Sequence, residues 1–205
     1  MITDWNGVKV KHLIEINRIK DLDATEDEKN LMVAGLLSDI PYEKLLAMPL
    51  DKVQVLTDGI EFMRKPIPTS RARNHYEING HRYWLLKNPN EMTVSQYIDY
   101  KNVSALGFET HIPEMLAIML IPEGKNYNDN YDTDQVRDDI LEMGVVEALG
   151  VAGFFIKRFQ RSILRSQTYL QASLLMAKWK LRRVKDKELR KALELEMNLL
   201  MEELR

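Results

Sequence analysis

The chain contains no cysteine. That excludes a disulfide framework, thiolate zinc sites and cysteine nucleophiles, and it suits the cytoplasm. Glycine and proline are scarce, nine and seven among 205 residues, which is too few for a loop-rich all-β fold. No apolar run reaches the roughly 18–20 residues a membrane-spanning helix needs. The nearest, 145–156, contains Glu147 and stops at Lys157 and Arg158. After Met1 the chain reads ITDWNGVKVKH, so no signal peptide is expected.

Catalytic patterns are missing too. His12, His75, His81 and His111 form no HxxxH or HExxH pair. His75 and His81 flank a turn signal, and cross-strand packing of the two is expected rather than metal binding. Ser38, Ser70, Ser95 and Ser166 lie in no G-x-S-x-G context. Glu123-Gly124-Lys125 lacks the rest of a phosphate loop. Asp129, Asp132, Asp134, Asp138 and Asp139 cluster, but a calcium loop starting at Asp132 would place Val136 where an acid belongs and has no Gly after it. They read as a solvated loop followed by an acidic first helical turn. No catalytic residue, metal ligand or cofactor is expected, and the protein reads as a non-enzyme.

What is present favours a folded, mainly helical protein. Hydrophobic residues make up 45% and charged residues 29%, a globular composition. Eleven Met, with many Leu, Lys and Glu, favour helices. The net charge of −2 hides an uneven distribution: residues 1–63 carry 12 acids and 7 bases, a net of −5, whereas 157–191 carry 12 bases and 2 acids, a net of +10. Residues 192–205 return to −3. Such asymmetry gives an oriented surface, open to nucleic acid, to an acidic protein or to the chain's own acidic part.

Along the chain, Leu13, Ile16 and Ile19 lean towards a helix within 8–20. Thr25 to Glu28 is a T-x-x-E capping box, followed by a stripe of Leu31, Ala34 and Leu37. Pro41 and Pro49 mark two more short helices. Lys65 to Ser70, KPIPTS, is an extended linker. Asn79-Gly80 predicts a type I′ hairpin whose strands carry Tyr76, Ile78, Tyr83 and Leu85, with Trp84 on the other face. Thr93 to Gln96 is a second capping box, opening a helix to about 106 with Val94, Tyr97, Ile98 and Lys101 on one face. Pro113 opens a helix to about 121, which Pro122 ends. A loop follows over 123–132, and Asp132 or Thr133 caps the next helix, to 143.

From Val145 onward the pattern is helical. Gly150 and Gly153, beside Ala148 and Ala152, suit close helix approach. Leu189, Leu193, Met197, Leu200 and Leu204 repeat at 4,4,3,4, like a short coiled-coil seam, and are expected to carry a helix–helix contact. Segment 185–205 is basic first and acidic last, the wrong order for an isolated helix. A continuous helix over 155–205 would be about 75 Å long, as a protruding arm or an oligomer interface requires. Lys157, Arg158, Arg161, Arg165, Lys178, Lys180, Arg182 and Arg183 form the candidate contact for a polyanion or an acidic partner. The expected fold is thus mainly α with one small β-hairpin (α+β): a helical unit over 1–64, a hairpin-and-helix core over 71–155 and a charged amphipathic helical arm over 156–205.

The block YEINGHRYWLL, MTVSQYIDYKNV and IPEMLAIMLIPEGKNYNDNYD resembles a group of small proteins encoded by phages of the Bacteroidetes. In that group an ING-x-x-Y hairpin is followed by a T-x-x-Q-Y-I-D helix and an L-x-P-x-G-x-x-Y turn. The likeness covers roughly residues 35–160 and rests on Thr93, Gln96, Tyr97, Ile98 and Asp99, then Ile121, Pro122, Gly124, Tyr127, Tyr131 and Asp132. It implies a virion-assembly role similar to tail assembly chaperones or to portal and tail adaptors, without enzymatic activity. The partners implied are other phage structural proteins and further copies of the chain, with no membrane contact. The location implied is the virion, or the host cytoplasm during assembly. The alternative, from charge alone, is a nucleic-acid-binding module using the basic stretch 157–191.

Overall fold

The structure, a computed structural model, describes residues 1–107 and 111–158. The chain divides into two compact units, Met1–Phe155 and Ile156–Arg205. The first takes in both the 1–64 and the 71–155 stretches, and the second is described only over 156–158. The fold is α+β: eight α-helices among the described residues and one small antiparallel sheet of three strands. No described helix is long and apolar enough to cross a membrane.

The first helices are α1 (Val10–Lys20), α2 (Glu26–Ser38), α3 (Tyr42–Leu46) and α4 (Leu50–Asp58). The predicted capping box opens α2: Glu28 N–H donates to Thr25 Oγ1 at 3.3 Å, and Thr25 N–H donates to Glu28 Oε2 at 2.9 Å. The pair satisfies two amides that a helix start leaves bare. Asp39, in the left-handed region at φ 56°, ends α2. Val10, Leu13 and Ile16 of α1 are buried, as are Val33, Ala34 and Leu37 of α2. Each such aliphatic side chain contributes about 1.5–3 kcal/mol when taken out of water. By contrast, α4 buries none of its residues fully, and Leu46, Leu50 and Val55 stay exposed.

The hairpin is β1 (His75–Ile78) and β2 (His81–Leu85). Asn79 and Gly80 take φ of 50° and 79°, as a type I′ turn demands. Tyr76 pairs with Tyr83, and both are buried with Ile78 and Leu85. The strand register separates the two histidines expected to meet: His75 pairs with Trp84 and stacks edge-on to it, while His81 pairs with Ile78. The hairpin is also not alone. The helix predicted to reach 121 stops early, as α6 (Ile112–Met119), and Leu120–Pro122 becomes β3, paired with β2 through Leu85↔Leu120 and Trp84↔Ile121. The whole stretch 115–122 is apolar apart from its ending, so it has no period that separates a buried helix from a buried strand. Pro122, lacking an N–H, fits an edge strand.

Helix α5 (Val94–Ala105) packs on α6, α7 (Thr133–Glu142) packs on α6 and β1, and an eighth, α8, covers 145–158. Thr93 caps α5 by accepting from Gln96 N–H at 3.2 Å. The Gln96 side chain does not close the expected box; it is buried and donates from Nε2 to the Ile118 carbonyl at 2.6 Å, tying α5 to α6. Tyr100 of α5 packs on Phe155 with ring centroids 5.3 Å apart, a contact of about 0.5–1.5 kcal/mol beyond area burial.

Segment 65–74, which includes the predicted linker Lys65–Ser70, carries neither helix nor strand, but it is strapped down. Trp5 Nε1 donates to the Lys65 carbonyl at 3.2 Å, and Ser70 N–H donates to the Val146 carbonyl at 3.3 Å. Arg73 pairs with Glu147. The close approach expected at Gly150 is to this strap rather than to a helix: a Cβ there would lie 2.5 Å from the Ser70 carbonyl oxygen. Gly153 has nothing within 4 Å of the equivalent point. The start of the chain pairs with the same region. Lys9 and Gly144 form an antiparallel bridge, and the carboxylate of Glu142 accepts from Lys9 and Lys11, each at 2.5 Å.

Candidate functional site

Helix α7 opens with Asp132, whose carboxylate accepts from the backbone N–H of Asp134 and Gln135 at 3.0 and 3.1 Å. Val136, Ile140 and Met143 are buried at a 4,3 spacing, and Asp139 falls on the same helical face. Its side chain is fully buried, which corrects the solvated reading of the acidic cluster at this one position. Both of its oxygens are occupied twice. Oδ1 accepts from Asn79 Nδ2 at 3.0 Å and Gln135 Nε2 at 3.1 Å. Oδ2 accepts from His81 Nδ1 at 2.7 Å and from the Tyr83 hydroxyl.

Three of those donors come from the hairpin, so one carboxylate fastens the hairpin to α7. Burial pushes the Asp139 pKa up, but the bonds from Tyr83, Asn79, His81 and Gln135 outweigh it and hold the group below the usual aspartate range. Burial pushes the Tyr83 hydroxyl far above its ordinary value, and its bond to the Asp139 anion adds to the effect. An ionised carboxylate only accepts, so Nδ1 of His81 is the donor in this contact. A carboxylate offers about four lone-pair positions. All four are taken here, leaving Asp139 none for a metal ion or a reacting proton.

Two of the clefts that α7 helps to line lie beside the Asp139 anchor and the 123–132 loop. One of about 520 Å³ lies against the hairpin and is lined by His81, Arg82, Tyr83, Glu123, Tyr131 and Gln135, among others. Arg82 is engaged by Glu123 at 3.3 Å. The other, about 480 Å³, opens between α5, α6 and α7. The 123–132 loop is pinned beside it: the Tyr127 hydroxyl donates to Asp99 Oδ2 at 2.8 Å, and Ser95 Oγ donates to Asn128 Oδ1 at 2.6 Å. Burial and the Asp99 bond raise the Tyr127 hydroxyl well beyond its ordinary value. Among the described residues no group of three or more His, Asp or Glu could hold a metal ion.

No family model, curated protein or solved structure matches the chain.

The functional reading therefore rests on the residues themselves. Of the basic residues singled out by sequence, Lys157 and Arg158 are exposed on α8. Arg161, Arg165, Lys178, Lys180, Arg182 and Arg183 lie outside the described residues, as do Leu189, Leu193, Met197, Leu200 and Leu204. Among the loop residues, Tyr127 and Asn128 are brought onto α5, whereas Asp129 accepts from its own loop, at Asn126 N–H, at 2.7 Å. Sequence reasoning missed Asp139. The signal was there: three positions after Val136 and one before Ile140, it sits inside the apolar stripe of its own helix.

Proposed function

We propose that this protein is a non-enzymatic component of bacteriophage assembly, tail- or portal-associated or similar to a tail assembly chaperone, that acts through protein–protein contacts. The observation that carries this reading is on helix α5, which packs inward through Gln96 and Tyr100 and leaves a second, apolar face outside. It buries Gln96 and exposes Val94, Tyr97 and Ile98 at 78%, 45% and 50%. Those three lie at i, i+3 and i+4, the spacing of a continuous helical face, and contiguous exposed apolar surface marks an interaction site. The polar groups of the middle block are meanwhile consumed inside the fold as caps, turn formers and the Asp139 anchor. The phage assignment is supported by the likeness of that same hairpin-and-helix block to the phage group.

Mass spectrometry of purified particles and of assembly intermediates tests the reading. The chain is expected in one of the two, together with tail or portal proteins; finding it in neither overturns the assignment. Self-association is tested separately. Replacing Leu189 and Leu193 by Asp is expected to lower the mass seen by light scattering, and an unchanged mass removes the proposed seam. A second reading is favoured by one feature, the net charge of +10 over 157–191. If that stretch binds nucleic acid, the logarithm of the affinity falls linearly with the logarithm of salt as counterions are released. Absence of DNA or RNA binding at low salt ends that reading.

A further inference from the structure

We infer that the cleft between α5, α6 and α7 is a receptor for an arginine side chain presented by a protein partner. The chemistry of its walls selects this occupant. Val103, Ala117, Ile118 and Val136 give it an apolar floor. Three carboxylates stand around that floor, each from a different helix: Asp99 on α5, Glu114 on α6 and Asp134 on α7. The single cation in the lining is Arg137, so the formal balance of the cleft is −2. Arg137 is already engaged, its Nε lying 3.3 Å from Glu114 Oε1. The second oxygen of Glu114 is buried and has no hydrogen-bond partner. The Glu114 side chain as a whole remains 34% exposed, so its charge is felt at the mouth of the cleft.

Two tyrosines, Tyr127 and Tyr131, complete the wall and are half-buried. Tyr127 is held in place by its bond to Asp99. Ring faces attract cations, and guanidinium stacks on them while its N–H fork meets a carboxylate in two places. The aliphatic stem of arginine then covers the apolar floor, as long basic side chains do elsewhere. An anionic ligand is repelled by the three carboxylates. A neutral apolar ligand leaves the net negative charge of the lining unanswered. A divalent ion finds no grouping able to hold it among the described residues. Lysine supplies charge but neither the planar fork nor the stacking, so it ranks below arginine.

The inference goes beyond the assembly role and does not depend on it: a basic partner segment is read from this cleft whether or not the protein belongs to a virion. The test is methyl NMR of the full chain with n-butylguanidinium as probe. Saturable shifts are expected at the methyls of Val103, Ala117, Ile118 and Val136, with n-butylammonium several-fold weaker and the neutral n-butylurea inactive. A short arginine-containing peptide is expected to shift the same methyls and to bind more tightly. Ala117→Phe fills the floor and is expected to abolish the response. Asp134→Asn is expected to weaken it several-fold while leaving the unfolding midpoint in place, since Asp132 rather than Asp134 caps α7. Overturning results are an absence of shifts, an equal response to the urea, or shifts spread over the acidic surface of residues 1–63. Should Ala117→Phe fail to fold, unchanged affinity in Asp134→Asn overturns the inference by itself.

Discussion

Asp139→Ala is expected to lower the thermal unfolding midpoint by roughly 6–20 °C. The substitution leaves Asn79, His81, Tyr83 and Gln135 without their shared acceptor, and Tyr83 is itself buried. Removing one side of a buried charged network costs about 3–5 kcal/mol, and for a unit of this size each kcal/mol shifts the midpoint by about 2–4 °C. Asp139→Asn offers little rescue, because its amide brings donors to a place already surrounded by donors. Tyr83→Phe removes one bond of four and should cost only about 1–2 kcal/mol. The anchor also sets a pH dependence. The folded pKa of Asp139 is depressed, so its stabilisation is fully present above the unfolded value of about 4 and is lost as pH falls through the folded value. Glu28 and Glu142 are shifted in the same direction, by the Thr25 bonds and by Lys11 and Lys9 respectively. The acid limb of the wild-type stability curve should therefore become shallower, though not vanish, in Asp139→Ala. Calorimetry across pH 2–7 reads both effects, and a midpoint within about 1 °C of wild type at pH 7 would falsify the anchoring role.

Replacing Gly150 and Gly153 should give changes of opposite sign, although both lie in α8. Alanine is better than glycine inside a helix by about 1 kcal/mol. At position 153 nothing stands within 4 Å of the added Cβ, so Gly153→Ala should raise the unfolding free energy by close to that amount. At position 150 the Cβ would lie 2.5 Å from the Ser70 carbonyl oxygen and 2.7 Å from its Oγ. The first of those atoms is backbone and cannot swing aside. The strap would have to lift, losing the bonds that Ser70 N–H and Oγ donate to Val146, both 3.3 Å. Overpacking costs about 1–3 kcal/mol, which outweighs the helical gain, and valine adds further bulk. Gly150→Val should therefore lose about 2 kcal/mol or more in denaturant unfolding. Equal behaviour at the two positions would show that the strap is not held against α8.

What was legible in the sequence was local. Thr25, Thr93 and Asp132 announce helix starts because a cap acts within three residues, and Asn79-Gly80 announces its turn because only a few residues tolerate positive φ. The alternation Tyr76, Ile78, Tyr83, Leu85 placed the buried face of the hairpin correctly for the same reason. Apart from the register that separates His75 from His81, the misses involve partners distant in sequence. Leu120–Pro122 became a strand because β2 offered an open edge, which nothing within the apolar run itself reveals. Gln96 looked like half of a capping box, but Ile118, 22 positions away, claimed its side chain. Val94, Tyr97 and Ile98 share a face as expected, yet periodicity does not say whether a face is covered. Asp139 is the instructive miss. Its composition pointed to the acidic loop, while its position in the Val136, Ile140, Met143 stripe pointed to the interior, and position was the better guide.

The bridge between Lys9 and Gly144 also bears on time. Val10 N–H donates to the Met143 carbonyl and Val145 N–H to the Val8 carbonyl, both at 2.9 Å. These bonds join the beginning of the first unit to segments made more than a hundred residues later. As the chain is synthesised, the residues of α1 emerge long before their strand-like partner exists. Closing so long a loop costs entropy before any contact repays it, and distant contacts of this kind slow folding. The apolar face of α1 must therefore wait, uncovered on one side, until the residues around 145 have emerged.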